Sequence, residues 1–77
     1  MKKINKGKKM NEDIFNLQVR KFLKNVGVTS QREIEGAIRA ALNSGKINEK
    51  SIIKVNTRLT IDKLNLTKDI DGTIELS

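Results

Sequence analysis

Two closely spaced pairs of carboxylates are the residues whose types could do chemistry in this chain. Glu33 and Glu35 fall in a helical pattern, where side chains two apart point in different directions. Asp69 and Asp71 fall in an alternating pattern that puts both on one strand face, where they could bind a hard cation weakly. Alternating acids on a strand are, however, typical of a solvated face, and Glu33 is better explained as a helix-capping residue.

The groups that usually accompany such carboxylates are absent from the sequence. The chain has no His and no Cys, so it lacks the commonest general base, the commonest thiol nucleophile and the usual zinc ligands. Its five glycines are scattered and form neither a phosphate-binding loop nor a dinucleotide fingerprint. We therefore expect a protein that is not an enzyme and that has no catalytic residues, no metal site and no cofactor.

The charge of the chain suggests an anionic partner as an alternative. Its net charge is +7 and its pI is near 10, values that favour nucleic-acid binding. Five of its lysines, however, lie among the first nine residues. Residues 1–10 are predicted to be a basic, disordered extension, and residues 11–77 a single, mildly basic domain.

A helix-turn-helix with a basic N-terminal arm is the form that nucleic-acid binding would take. Two helices joined near a glycine and followed by a β-hairpin are typical of that class. The expected contacts come from the tail and from polar residues of both helices: Lys8, Lys9, Arg20, Lys24, Gln31, Arg32 and Arg39. Against this alternative, the chain lacks a third supporting helix, and Glu33 and Glu35 would repel phosphate.

Two N-terminal helices are predicted to position these residues. The first runs from Asn11, a plausible N-cap, to Val26, with its apolar side chains at helical spacing: Phe15, Val19, Phe22, Leu23 and Val26. Gly27 is expected to end it in the left-handed conformation, so that Val at this position would destabilise the fold. Ser30 and Glu33 have capping-box spacing, which predicts a second helix over residues 31–44 that stops at Gly45.

The C-terminal third changes to a period of two, which indicates strands. One apolar row runs from Ile53 to Ile61, and a second runs from Leu64 to Leu76, with Lys68 and Gly72 as interruptions. The break at residues 62–65 predicts an antiparallel β-hairpin, and Gly72 suggests a bulge. The predicted fold class is α+β: a helical hairpin followed by a β-hairpin packed on it.

Self-association is predicted from the small size of the core. Only 36% of the 77 residues are hydrophobic, and the aromatic ones are two Phe. A domain of this size usually needs a disulfide, a metal or a partner, and the first two are excluded. A homodimer could form through the edge of the sheet or through the helices. Ile14 and Leu17 fall off the main helical face and either widen it or form a second contact surface.

The segment from Met10 to Glu35 resembles a family of small, uncharacterised bacterial proteins. The resemblance is carried by Phe22-Leu23-Lys24, by the run VGVTSQREIE over residues 26–35, and by Ser44-Gly45-Lys46. It implies a domain of about seventy residues with an Ala-rich second helix and two C-terminal strands. Residues 1–9 lie outside the pattern, and Gly36 replaces a larger helix-former. The family has no known function, so the resemblance implies no activity, cofactor or site residues.

The most economical hypothesis is a small non-catalytic interaction or accessory domain that self-associates. The alternative is the nucleic-acid-binding protein described above. No apolar run reaches the length of a membrane span, and the basic N-terminus lacks the apolar core of a secretory signal. We therefore expect a cytoplasmic protein that does not bind membranes; the sequence names neither its process nor any partner other than itself.

Overall fold

The computed structural model describes residues 9–77. The elements follow one another as helix α1 (Glu12–Asn43), strand β1 (Ile52–Ile61), a single 3-10 turn (Asp62–Leu64) and strand β2 (Leu66–Glu75). The chain forms two units, one that ends at Ile38 and one that spans Arg39–Ser77. The predicted basic extension lies almost wholly outside the described residues.

The predicted helical hairpin is wrong, because α1 is one uninterrupted helix of 32 residues. Gly27 does not end a helix: its φ is not positive, and Val28 and Thr29 continue the α-helix. Ser30 and Glu33, which have the spacing of a capping box, lie in the interior of the same helix. The fold class is α+β, with one helix in place of two.

The continuous helix follows from the phase of its apolar residues. Val26 and Ala37 are eleven residues apart, as are Leu23 and Ile34, and eleven residues are close to three full turns at 3.6 residues per turn. The two predicted stripes can therefore continue one another along one uninterrupted helix. An interior glycine costs only about 1 kcal/mol relative to Ala, and the chain has no Pro to force a break.

Both ends of α1 carry the signals that the sequence predicts. Asn11 Oδ1 accepts a hydrogen bond of 3.1 Å from the Ile14 N–H, which confirms Asn11 as the N-cap. At the other end Gly45 has a φ of 77°. The Gly45 N–H donates to the Leu42 carbonyl at 3.1 Å and the Lys46 N–H to the Ala41 carbonyl at 2.9 Å, the paired bonds of a Schellman motif.

The predicted hairpin is confirmed, with β1 and β2 antiparallel. The pairing places Ile53 opposite Ile74, Thr57 opposite Ile70 and Ile61 opposite Leu66, so the two predicted apolar rows share one face. In the connection, Asn65 takes the left-handed conformation (φ 50°) and its N–H donates to the Asp62 carbonyl at 3.1 Å. Asn tolerates that conformation better than most residues.

The predicted bulge at Gly72 is wrong. Gly72 pairs directly with Val55, and the pairing runs without a break from Ile52–Glu75 to Ile61–Leu66. A Cβ atom built on Gly72 would lie 3.5 Å from Val55 Cγ2, an ordinary van der Waals contact. Gly72 therefore leaves a gap in the apolar face of the hairpin rather than a kink in its backbone.

Among residues 9–77, no side chain is buried. The half-buried apolar residues are few: Val26, Ile34, Ile38, Ala41, Ile47, Ile53, Val55, Leu59, Ile74 and Leu76. In the second unit, Ser77 Oγ donates a hydrogen bond of 2.8 Å to the Glu49 carbonyl, which links the last residue to the loop before β1. The described chain has no interior of the kind that usually holds a domain together.

Candidate interaction surface

One exposed apolar surface of the first unit lies along a face of α1. We define the apolar face of α1 as Phe15, Val19, Phe22, Leu23 and Val26. The exposed fractions of the first four are 45%, 40%, 55% and 51%, and Val26 is half-buried. Two phenylalanines at such exposure are unusual, because a large apolar side chain gains roughly 1.5–3 kcal/mol on burial.

A second apolar row runs along the other side of the same helix. Ile14 and Leu17 are 57% and 56% exposed, and Val28 joins them at 48%. The sequence analysis did not place Val28 on a helical surface, because it assigned Val28 to the turn after a helix end at Gly27. Its spacing of eleven residues from Leu17 was the signal, since that spacing returns to the same side of a helix. By helical spacing, Lys21 and Lys24 lie between these apolar residues. Charged side chains therefore interrupt this second row.

The candidate nucleic-acid contacts do not form one patch. Lys8 lies outside the described residues, and Lys9 precedes the helix. Helical spacing divides the others into two rows on different sides of α1: Arg20, Lys24 and Gln31 form one row, and Arg32 and Arg39 form the other. Gln31 Nε2 donates to Glu35 Oε2 at 2.9 Å, so this amide is engaged within the helix.

The recognition-helix geometry is absent from α1. A helix-turn-helix needs a turn that sets its second helix across the first, whereas residues 12–43 are helical throughout. Gln31 and Arg32, expected at the exposed start of a second helix, lie mid-helix instead. Glu35 is adjacent to both rows of candidate contacts, and its carboxylate would repel phosphate there.

Asp69 and Asp71 of β2 accept hydrogen bonds from side chains of β1. Arg58 Nε and Nη2 donate to the two carboxylate oxygens of Asp69 at 2.8 and 3.4 Å. Asn56 Nδ2 donates to Asp71 Oδ1 at 2.7 Å. Both contacts join residues paired across the strands. These carboxylates serve the hairpin as cross-strand partners.

Residues 9–77 contain no group of three or more acidic side chains placed to hold a metal ion. Within the same range, α1 is not apolar enough over its length to cross a membrane.

Comparison with known protein families gives a match over most of the chain. The sequence model of a family of unknown function, DUF6494, matches residues 10–77. No curated protein and no solved structure matches the chain. The match covers α1, both strands and the connections between them.

Proposed function

The chain belongs to DUF6494, a family of unknown function, and we propose that it acts as a non-catalytic interaction domain that self-associates through the apolar face of α1. The observation that carries the proposal is the exposure of Phe15, Phe22 and Leu23 on one helical face. A contiguous apolar patch rimmed by polar residues is typical of a protein–protein contact surface.

A second copy of the chain is the occupant that we propose. Helices are stable in water mainly when their apolar face packs on another element, and the apolar face of α1 is largely open to solvent. An identical helix offers a face of the same length and composition. Most soluble oligomers are symmetric assemblies of identical chains, in which one patch meets its own copy.

The sheet edges are less suitable for joining two copies. On the polar face of the hairpin, β1 carries Lys54 and Arg58 while β2 carries Asp69 and Asp71. Two β1 edges would bring basic residues together, and two β2 edges would bring acids together. Pairing β1 with the β2 of another copy would match the charges but would not close, and it would continue into a filament.

The test compares one substitution at two places on α1. Leu23 and Leu17 have similar exposed fractions, 51% and 56%, and only Leu23 lies on the apolar face. We expect Leu23→Glu to convert a dimer into a monomer in sedimentation equilibrium at micromolar concentration, because the new charge would be buried in the interface. Leu17→Glu should leave the dimer mass unchanged.

Three results would contradict this proposal. A monomeric mass for the unaltered chain would remove self-association altogether. If Leu17→Glu dissociated the dimer and Leu23→Glu did not, the contact would be formed by the row that contains Ile14 and Val28. An unchanged dimer for both variants would place the contact on the hairpin instead.

A further inference from the structure

We infer that two copies of α1 pair antiparallel over residues 12–29, with the two-fold axis level with the midpoint between Arg20 and Lys21. The inference rests on the proposed self-association and adds its geometry. In this pair, residue i of one helix lies level with residue 41 − i of the other. By helical spacing, Arg20 and Lys21 lie roughly 130° around α1 from the centre of its apolar face, so these two cations face away from the second copy.

Four residues of the apolar face have the spacing of a coiled-coil seam. Phe15, Val19, Phe22 and Val26 follow one another at intervals of four, three and four residues. The antiparallel pair sets Phe15 level with Val26 and Val19 level with Phe22, so each of its layers holds one Phe and one Val. A parallel pair would instead set Phe against Phe and Val against Val, which makes its layers alternately crowded and loose. Layers of equal volume pack more closely.

Glu33 limits how far the seam can extend along α1. It follows Phe15 by eighteen residues, which are five full turns, so it lies on the same side of the helix, where its side chain is exposed. Burying its carboxylate against an apolar side chain would be costly. The pair over residues 12–29 leaves Glu33 beyond its end. A longer antiparallel pair centred near Val28 would set Glu33 level with Leu23 of the second copy, and a parallel pair would set Glu33 beside its own copy.

The chain that leads into α1 brings positive charge towards Glu33 of the second copy. Glu12 is level with Thr29 of that copy, so Glu33 lies about 6 Å beyond the first residue of the helix. Residues 9–11, which include the exposed Lys9, are long enough to span that distance. Residues 1–13 contain five lysines and two acids, so this end of the chain is positive overall. A parallel pair would instead bring the two basic ends together.

The absence of Cys allows a direct test by spin labelling of single-Cys variants. Leu17 and Gln31 are exposed and, by their spacing, lie on the side of α1 away from the apolar face. At a rise of 1.5 Å per residue, the inferred pair separates the two Leu17→Cys labels by about 10 Å along the axis and the two Gln31→Cys labels by about 32 Å. Electron–electron double resonance on the intact dimer should therefore give a clearly shorter distance at 17 than at 31.

Each alternative arrangement gives a different pattern of distances. Equal distances at both positions would show a parallel pair, and a longer distance at 17 than at 31 would show the antiparallel pair centred near Val28. Either result overturns the inferred register while leaving self-association intact. A monomeric mass, measured on the same samples, overturns the proposed function itself.

Charge reversal at Glu33 gives a second readout. Glu33→Lys should raise the dissociation constant of the dimer about tenfold, because two attractive contacts become repulsive. Adding Lys9→Glu should recover part of the lost affinity. Glu35→Lys makes the same change of charge two residues away, on the side of α1 opposite the apolar face, and should have little effect. An unchanged dissociation constant for Glu33→Lys, equal weakening by Glu35→Lys, or no recovery in the double variant would refute the contact.

Discussion

At the scale of single residues, two glycines that were both predicted to end a helix have different structural roles. Gly27 is interior to α1, and apart from the adjacent backbone of the helix no atom lies within 4 Å of a built Cβ, whereas Gly45 has a φ of +77°. We expect Gly27→Ala to raise the free energy of unfolding by up to about 1 kcal/mol. Gly45→Ala should lower it by about 1–2 kcal/mol, because Ala resists the left-handed conformation.

Chemical denaturation of both variants at one protein concentration measures this difference. The same substitution at Gly36, which is also interior and has equally open space around a built Cβ outside the adjacent helix backbone, serves as a second helical reference. A loss of stability in Gly27→Ala would mean that α1 is interrupted there after all. The earlier expectation that Gly27 must stay glycine came from treating it as a helix end.

At the scale of elements, Lys68 interrupts the apolar row of β2 opposite Leu59. A charged residue in an exposed strand hinders pairing with other chains. We expect Lys68→Val to increase light scattering and thioflavin T fluorescence on incubation, because the apolar row becomes longer at an open edge. Lys63→Val, in the turn between the strands, makes the same change of charge and should aggregate less. Equal aggregation of the two variants would attribute the effect to net charge alone.

At the scale of the whole molecule, stability and self-association should be linked. A dimer that completes the burial of α1 stabilises the folded state by mass action, so the melting temperature should rise with protein concentration. We expect a measurable fall in Tm by circular dichroism on a hundredfold dilution of the unaltered chain. Leu23→Glu should melt at a lower temperature that does not change with concentration. A Tm independent of concentration in the unaltered chain would indicate that the helix is stable without a partner.

Local signals predicted the limits of the helical region and the β-hairpin, but they wrongly divided the helical region into two helices. Asn11 and Gly45 were identified as the limits of the helical region because a side-chain cap and a left-handed residue depend only on a few neighbours. The hairpin was predicted because two alternating runs of apolar and polar residues, separated by a polar break, are typical of paired strands. The pairing of Arg58 with Asp69 needed one further fact, the register of the strands, which only the structure supplied.

The sequence by itself determined the α+β class, the ends of the helical region, the phase of both strands and the absence of His and Cys. Only the tertiary structure decided that α1 continues through Gly27 and that Gly72 leaves the ladder unbroken. The reason is that a glycine can either continue or interrupt a helix or strand, and continuing it costs only about 1 kcal/mol. The hydrogen bonds of the neighbouring turns and strands readily outweigh that cost. The conformation of such a glycine is determined by the elements on either side of it.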